Sequence, residues 1–166
     1  MKKEFYYIFL AIWLLSFSAC DWFNNKNQKQ APIESTKTYQ TPQLQQISQQ
    51  INTDSTNAQL YYQRGLLHIK VSNFNDAELD FKKAIDLKPD PEYYFALSNL
   101  YYTNEDITRA INILQAGVEK FPMSSELLLP LARFHIYLKQ YDQAIKQADQ
   151  ALIANANNAQ AYLLKG

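Results

Sequence analysis

The chain has 166 residues, enough for one domain once processing of the amino terminus is allowed for. Sixteen lysines and arginines balance sixteen aspartates and glutamates, so the basic footprint of a protein that holds nucleic acid through its phosphates is missing. Only three glycines occur where average usage gives roughly 12, which disfavours tight hairpins and glycine-lined phosphate loops, and a single cysteine, Cys20, excludes an internal disulfide or a cysteine-rich metal site. These counts favour a compact helical protein.

The first segment has the layout of a secretory signal: Lys2 and Lys3, an apolar run from Phe5 to Leu15, then Ser16, Phe17, Ser18, Ala19 and Cys20. The run is too short to span a membrane, which takes about 20 residues. Ser18 and Ala19 before Cys20 resemble the lipobox of bacterial lipoproteins, although Phe17 stands where that motif usually has an aliphatic residue. The resemblance implies a signal peptide over 1–19, cleavage before Cys20 and a lipid on its thiol. It also implies an exported protein held on a bacterial membrane, the outer membrane being favoured over the inner. Asp21 weighs the other way in enteric bacteria, where it accompanies retention at the inner membrane. Each buried methylene contributes about 0.8 kcal/mol, so three acyl chains would anchor almost permanently. Ordinary secretion with a free thiol is the alternative.

Residues 20–40 turn to Asn, Gln, Lys, Ser and Thr without apolar periodicity and read as a disordered tether, on the order of 25 Å long as a flexible coil. Trp22 and Phe23 suit a membrane interface. Over 41–57, Leu44, Ile47 and Ile51 recur at helical spacing after Thr41 and Pro42, which predicts a helix covering the leading edge of a helical stack.

From Ala58 the chain repeats itself over 58–90, 91–124 and 125–158, with a partial fourth copy over 159–166. Tyr61, Tyr94 and Leu128 align as large residues, and Gly65, Ser98 and Ala132 as small ones. Ala77, Ala110 and Ala144 are identical. Phe81, Leu114 and Ala148 align next, followed by Ala84, Gly117 and Ala151, then Pro89 and Pro122. Each copy holds two apolar-periodic stretches with a polar break between them, at Asn73 to Asp76, Asn104 to Asp106 and Lys139 to Asp142. Pro89 and Pro122 close their copies because a proline ring cannot continue a helix. Tyr162 and Gly166 stand in the places of Tyr61 and Gly65, which suggests an array continuing past this chain.

The pattern resembles the tetratricopeptide repeat, W-x2-L-G-x2-Y followed by A-x3-F and a later proline. Arg64 and His68 depart from its usual Leu and Tyr, and Ala148 and Ala156 from its Phe and Pro. The resemblance implies an all-α fold, a right-handed superhelical solenoid of antiparallel helix pairs whose first helices line a concave groove for a partner's peptide or helix.

Carried over residue by residue, the groove places are Gln59, Tyr62, Leu66, Ile69 and Lys70; Glu92, Phe95, Asn99, Tyr102 and Thr103; and Glu126, Leu129, Arg133, Ile136 and Tyr137. From these the candidate partner-binding residues are Tyr62, Leu66, Ile69, Phe95, Asn99, Tyr102, Leu129, Arg133, Ile136 and Tyr137, aromatic anchors and an arginine being favoured at binding hot spots. Tyr61, Tyr94 and Tyr101 fall where the repeat packs its own core. Family members that grip chaperone carboxylate tails use Lys and Asn where Tyr62 and Leu66 stand here, so that activity is not expected.

Pro130 falls inside a predicted first helix, where it would bend the helix around Leu129 and Arg133, unless the helix starts later. His68 and His135 read as packing residues instead of metal ligands, and Asp76 with Asp80 as solvated surface charges. No nucleophile elbow or phosphate loop occurs. The expectation is therefore a non-enzymatic scaffold without metal or cofactor, binding a protein partner in an envelope assembly, with no nucleic acid and no small-molecule substrate. A glycan-binding lipoprotein, or a docking arm for an activity beyond Gly166, is the alternative.

Overall fold

Eight α-helices and short turns make up residues 41–165, which the computed structural model describes, and no strand occurs among them. The expected signal peptide, lipidation site Cys20 and tether, together with Gly166, lie outside the described residues. Helix α1 (Pro42–Thr53) starts where Thr41 Oγ1 accepts from Leu44 N–H at 3.3 Å, with Pro42 just inside, where its missing donor is harmless. It buries Leu44, Ile47 and Ile51 and packs on α2 (Ala58–Lys70).

Three helix pairs come next: α2 with α3 (Phe74–Leu87), α4 (Pro91–Thr103) with α5 (Ile107–Lys120), and α6 (Ser125–Tyr137) with α7 (Tyr141–Ala154). Helix α8 (Ala159–Lys165) packs on α7. The result is an all-α solenoid of the tetratricopeptide type.

The turn inside each pair is built alike. Ser72, Glu105 and Lys139 adopt left-handed backbone, with φ of 58°, 60° and 59°. The next N–H in each case reaches back five residues, Asn73 to His68 O, Asp106 to Tyr101 O and Gln140 to His135 O, at 2.8, 2.9 and 2.7 Å. This is the Schellman closure, which satisfies carbonyls at the end of the first helix. Glycine usually holds the left-handed place, and here none does.

The shared alanines Ala77, Ala110 and Ala144 are buried on the second helix of each pair, as are Phe81, Leu114 and Ala148. Close approach explains Gly65, since a Cβ there would lie 2.6 Å from Phe81 Cε1, inside any real contact. Ser98, in the corresponding place, is buried with its hydroxyl donating to Ala110 O at 3.0 Å. The core is stacked. Tyr62, Phe81, Tyr93, Leu97 and Tyr101 fill the join between the first two pairs, Tyr94, Leu114, Leu127 and Leu131 the next, and Leu128, Leu129, Ala151 and Ala161 the last. Tyr94 and Tyr101 are buried, whereas Tyr61 is half-buried, its hydroxyl donating to Ser55 O at 3.2 Å.

Asp80 corrects the expectation of a solvated charge. Its side chain is 5% exposed and takes a two-pronged hydrogen bond from Arg64, Nε to Oδ2 at 2.8 Å and Nη2 to Oδ1 at 2.6 Å. Arg64, which stands where the resembled repeat pattern usually has leucine, thus draws a carboxylate into the helix crossing. His68 Nε2 lies 3.8 Å from the same carboxylate, while its Nδ1 is buried without a hydrogen-bond partner among the described residues. Burial lowers the His68 pKa, with Asp80 and Asp76 opposing and Arg64 assisting.

Candidate functional site

The first helices α2, α4 and α6 carry the places assigned to the groove. A proline within α6 shapes the site. The helix begins at Ser125, not later, so Pro130 is its sixth residue. Without an N–H it cannot bond the carbonyl of Glu126 four residues back.

Beside that proline, α4 and α6 enclose a cavity of about 330 Å³ lined by Phe95, Ser98, Asn99, Tyr102, Pro130, Arg133, Phe134 and Tyr137. The rings of Tyr102 and Phe134 meet edge to face with centroids 5.5 Å apart, where the two helices pack against each other. Phe95, Tyr102 and Tyr137 are 38%, 54% and 69% exposed, too much apolar surface to be accounted for by the fold's own packing. Arg133 is exposed and forms no ion pair among the described residues.

Two turns nearer the amino ends of the same helices the charge has the opposite sign. Glu92 and Glu126 occupy equivalent places there, on α4 and α6. Burial, followed by the charges of Glu92 and Asp90, raises the Glu126 pKa, so these carboxylates sense one another. The Tyr62 hydroxyl donates to Glu92 Oε1 at 2.9 Å, and burial, then that bond, raises the phenol's pKa. Next to it, Tyr93 donates to Gln59 Oε1 at 2.9 Å.

The structure brings Phe95, Asn99, Tyr102, Arg133 and Tyr137 together around one cavity. Two other candidates need correction as open anchors. Tyr62 is 8% exposed, its ring 4.9 Å from Tyr93 and 5.8 Å from Phe81, so it cements the first two repeats. Leu129 is 7% exposed because it packs into the last core cluster. Leu66 is exposed, Ile69 is half-buried against the first cluster and Ile136 is half-buried; none of the three lines the cavity. Ser98 and Phe134 line it without having been assigned to the groove. Phe134 directly follows Arg133, but only the packing of α4 on α6 turns its ring toward Tyr102. Cys20 lies outside the described residues.

A broader cavity of about 920 Å³ lies among α5, α6 and α7, lined mostly by polar residues including His135, Gln140, Lys146 and Gln147. His135 Nδ1 donates a hydrogen bond to Gln140 Oε1 at 2.8 Å, which ties the ring to the turn before α7. Among the described residues no group of three or more His, Cys, Asp or Glu could hold a metal ion, and no helix is long and apolar enough to cross a membrane.

The family model for subunit 3 of the anaphase-promoting complex, or cyclosome, matches residues 70–151. Human mitochondrial import receptor subunit TOM70 is 27% identical over 147 residues, covering 84% of this chain and 23% of the receptor. The chain thus spans about a quarter of the length of that relative. A tetratricopeptide repeat protein from Parabacteroides merdae superposes with TM-score 0.65 at 17% identity, covering 73% of this chain and 49% of that one. The first TPR of Spaghetti (RPAP3), bound to the HSP90 peptide SRMEEVD, superposes with TM-score 0.57 at 18% identity, covering 68% and 90%. At such identities these likenesses bear on the fold, and the solved neighbours are tetratricopeptide solenoids.

Proposed function

We propose that this chain is a non-catalytic adaptor that binds a segment of a partner protein in the cavity between α4 and α6, while a lipid on Cys20 holds it on a bacterial envelope membrane. One observation carries the binding role: a side-chain-sized apolar cavity with exposed aromatic walls and an arginine that forms no ion pair among the described residues, on the face formed by the first helices. Cavities that hold small ligands run from roughly 300 to 1,000 Å³, so this one suits a side chain or two. The peptide held by the Spaghetti (RPAP3) repeats supports the same use of this fold. The lipobox resemblance of Ser18, Ala19 and Cys20 supports the anchor, and export to the envelope, with the outer membrane favoured, rests on it. The adaptor needs no cofactor, nucleic acid or small-molecule substrate.

A photo-reactive residue in place of Tyr137 should cross-link one partner in native membranes, and one in place of Lys146 should not. Changing Phe95 and Tyr102 to Ala should abolish the adduct. Equal labelling from both places would refute the groove assignment. Globomycin should leave an unprocessed precursor, and normal maturation would refute the anchor.

A further inference from the structure

Charges of opposite sign stand in a fixed order along the two helices: Asn99 and Arg133 are in the cavity wall, while Glu92 and Glu126 lie beyond its Phe95 and Pro130 end. Glu92 and Glu126 lie at one level of the parallel helices α4 and α6, and Asn99 and Arg133 lie seven residues further along each. Seven residues of α-helix rise about 10.5 Å. An extended peptide places residues i, i+2 and i+4 on one face, covering about 13 Å at 3.3 Å per residue. The lengths of the Lys, Glu and Arg side chains absorb the difference. A helical ligand fits poorly, because α4 and α6 already touch through Tyr102 and Phe134, leaving no trough for a cylinder about 10 Å across.

We infer that the site selects an extended peptide of the form basic–x–aromatic–x–acidic: the cation facing Glu92 and Glu126, the ring filling the cavity beside Pro130, and the carboxylate meeting Arg133 and Asn99. This rests on reading the cavity as the binding site. It differs from a grip on a doubly acidic tail, which the carboxylates at one end of this groove would repel. Charge order, and not apolar area alone, then sets which segment binds.

The test uses the full chain in mild detergent and capped, fluorescein-labelled seven-residue peptides, too short to form stable helices, read by fluorescence anisotropy. Ser-Lys-Ala-Phe-Ala-Asp-Ser should bind about tenfold more tightly than its Gln/Asn analogue, as expected of two exposed ion pairs worth a few-fold each. Replacing its Phe by Ala should cost about thirtyfold or more, the loss of a hot-spot anchor. Arg133→Glu should weaken the Lys/Asp peptide about tenfold and turn the preference to a Lys/Lys peptide. Glu92→Gln with Glu126→Gln should remove the advantage of the lysine.

Equal binding of charged and neutral peptides overturns the charge order and leaves the cavity as the site. Absence of binding by every peptide, together with no adduct from residue 137, overturns both. An adduct from residue 137 between two copies of this chain would overturn the peptide assignment in favour of self-association. Arg133 and Glu92 are exposed, and unchanged circular dichroism of the variants separates these outcomes from misfolding.

Discussion

Changing Asp80 to Ala removes the carboxylate that holds Arg64 in the first helix crossing. The Asp80 side chain is 5% exposed and that of Arg64 24% exposed. Removing one partner of a fully buried pair costs about 3–5 kcal/mol, because the other charge is left without compensation. Water can reach part of the Arg64 guanidinium, which brings the expected loss below that range, to about 2–3 kcal/mol. In a domain of this size, that is a fall in Tm of roughly 6–12 °C. Adding Arg64→Leu installs the leucine usual in the repeat pattern and leaves no unpaired ion. The double variant should therefore recover to within about 1 kcal/mol of the parent, since exchanging a buried ion pair for apolar packing is often neutral or better. Urea unfolding followed by far-ultraviolet circular dichroism gives the global values, and hydrogen exchange of α2 and α3 amides shows that the loss begins there. If Asp80→Ala costs less than about 0.5 kcal/mol, or the double variant loses the sum of the two singles, the bond does not hold the crossing together.

Gly65→Ala should destabilise by about 1–3 kcal/mol despite its better helix propensity, because the new methyl meets the buried Phe81 ring at 2.6 Å; Phe81→Leu should suppress part of that loss in a thermal-melt double-mutant cycle. His68 has a folded-state pKa below its unfolded value of about 6.5. The unfolded chain therefore binds this proton more readily, and the stability His68 contributes is full above that value and lost as pH falls through the folded pKa. Urea midpoints should drop on acidification from neutral pH, and His68→Phe should flatten that drop. Lys139→Gly should raise stability by about 0.5–1 kcal/mol in the same assay, relieving a left-handed conformation unfavourable to residues with a Cβ. An unchanged or lowered midpoint would show that no such strain is stored there.

Helix periodicity, proline punctuation and the thrice-repeated small residues marked the helix pairs and which residues cross within them. Those features depend on contacts between neighbours in sequence: Ala77 must be small because α2 and α3 belong to one short hairpin, whatever lies beyond it. The left-handed turns at Ser72, Glu105 and Lys139 left no such trace, since the bonds that close them use backbone atoms any residue possesses.

Only the tertiary structure decided which neighbours along a helix stay open beside the cavity. Successive residues differ by about 100° around the axis, and the border between interface and open face runs through adjacent positions. The stacking of one first helix on the next therefore buried Tyr62 and Leu129 while leaving Phe95, Tyr102 and Tyr137 open. The same stacking brought Phe134 against Tyr102 and set Arg133 beside the cavity. Composition had balanced acids and bases as a bare sum of zero; the placing of Glu92 with Glu126, and of Asn99 with Arg133, arises from the alignment of α4 and α6. Periodicity within one helix carries no information about how the next helix is laid upon it.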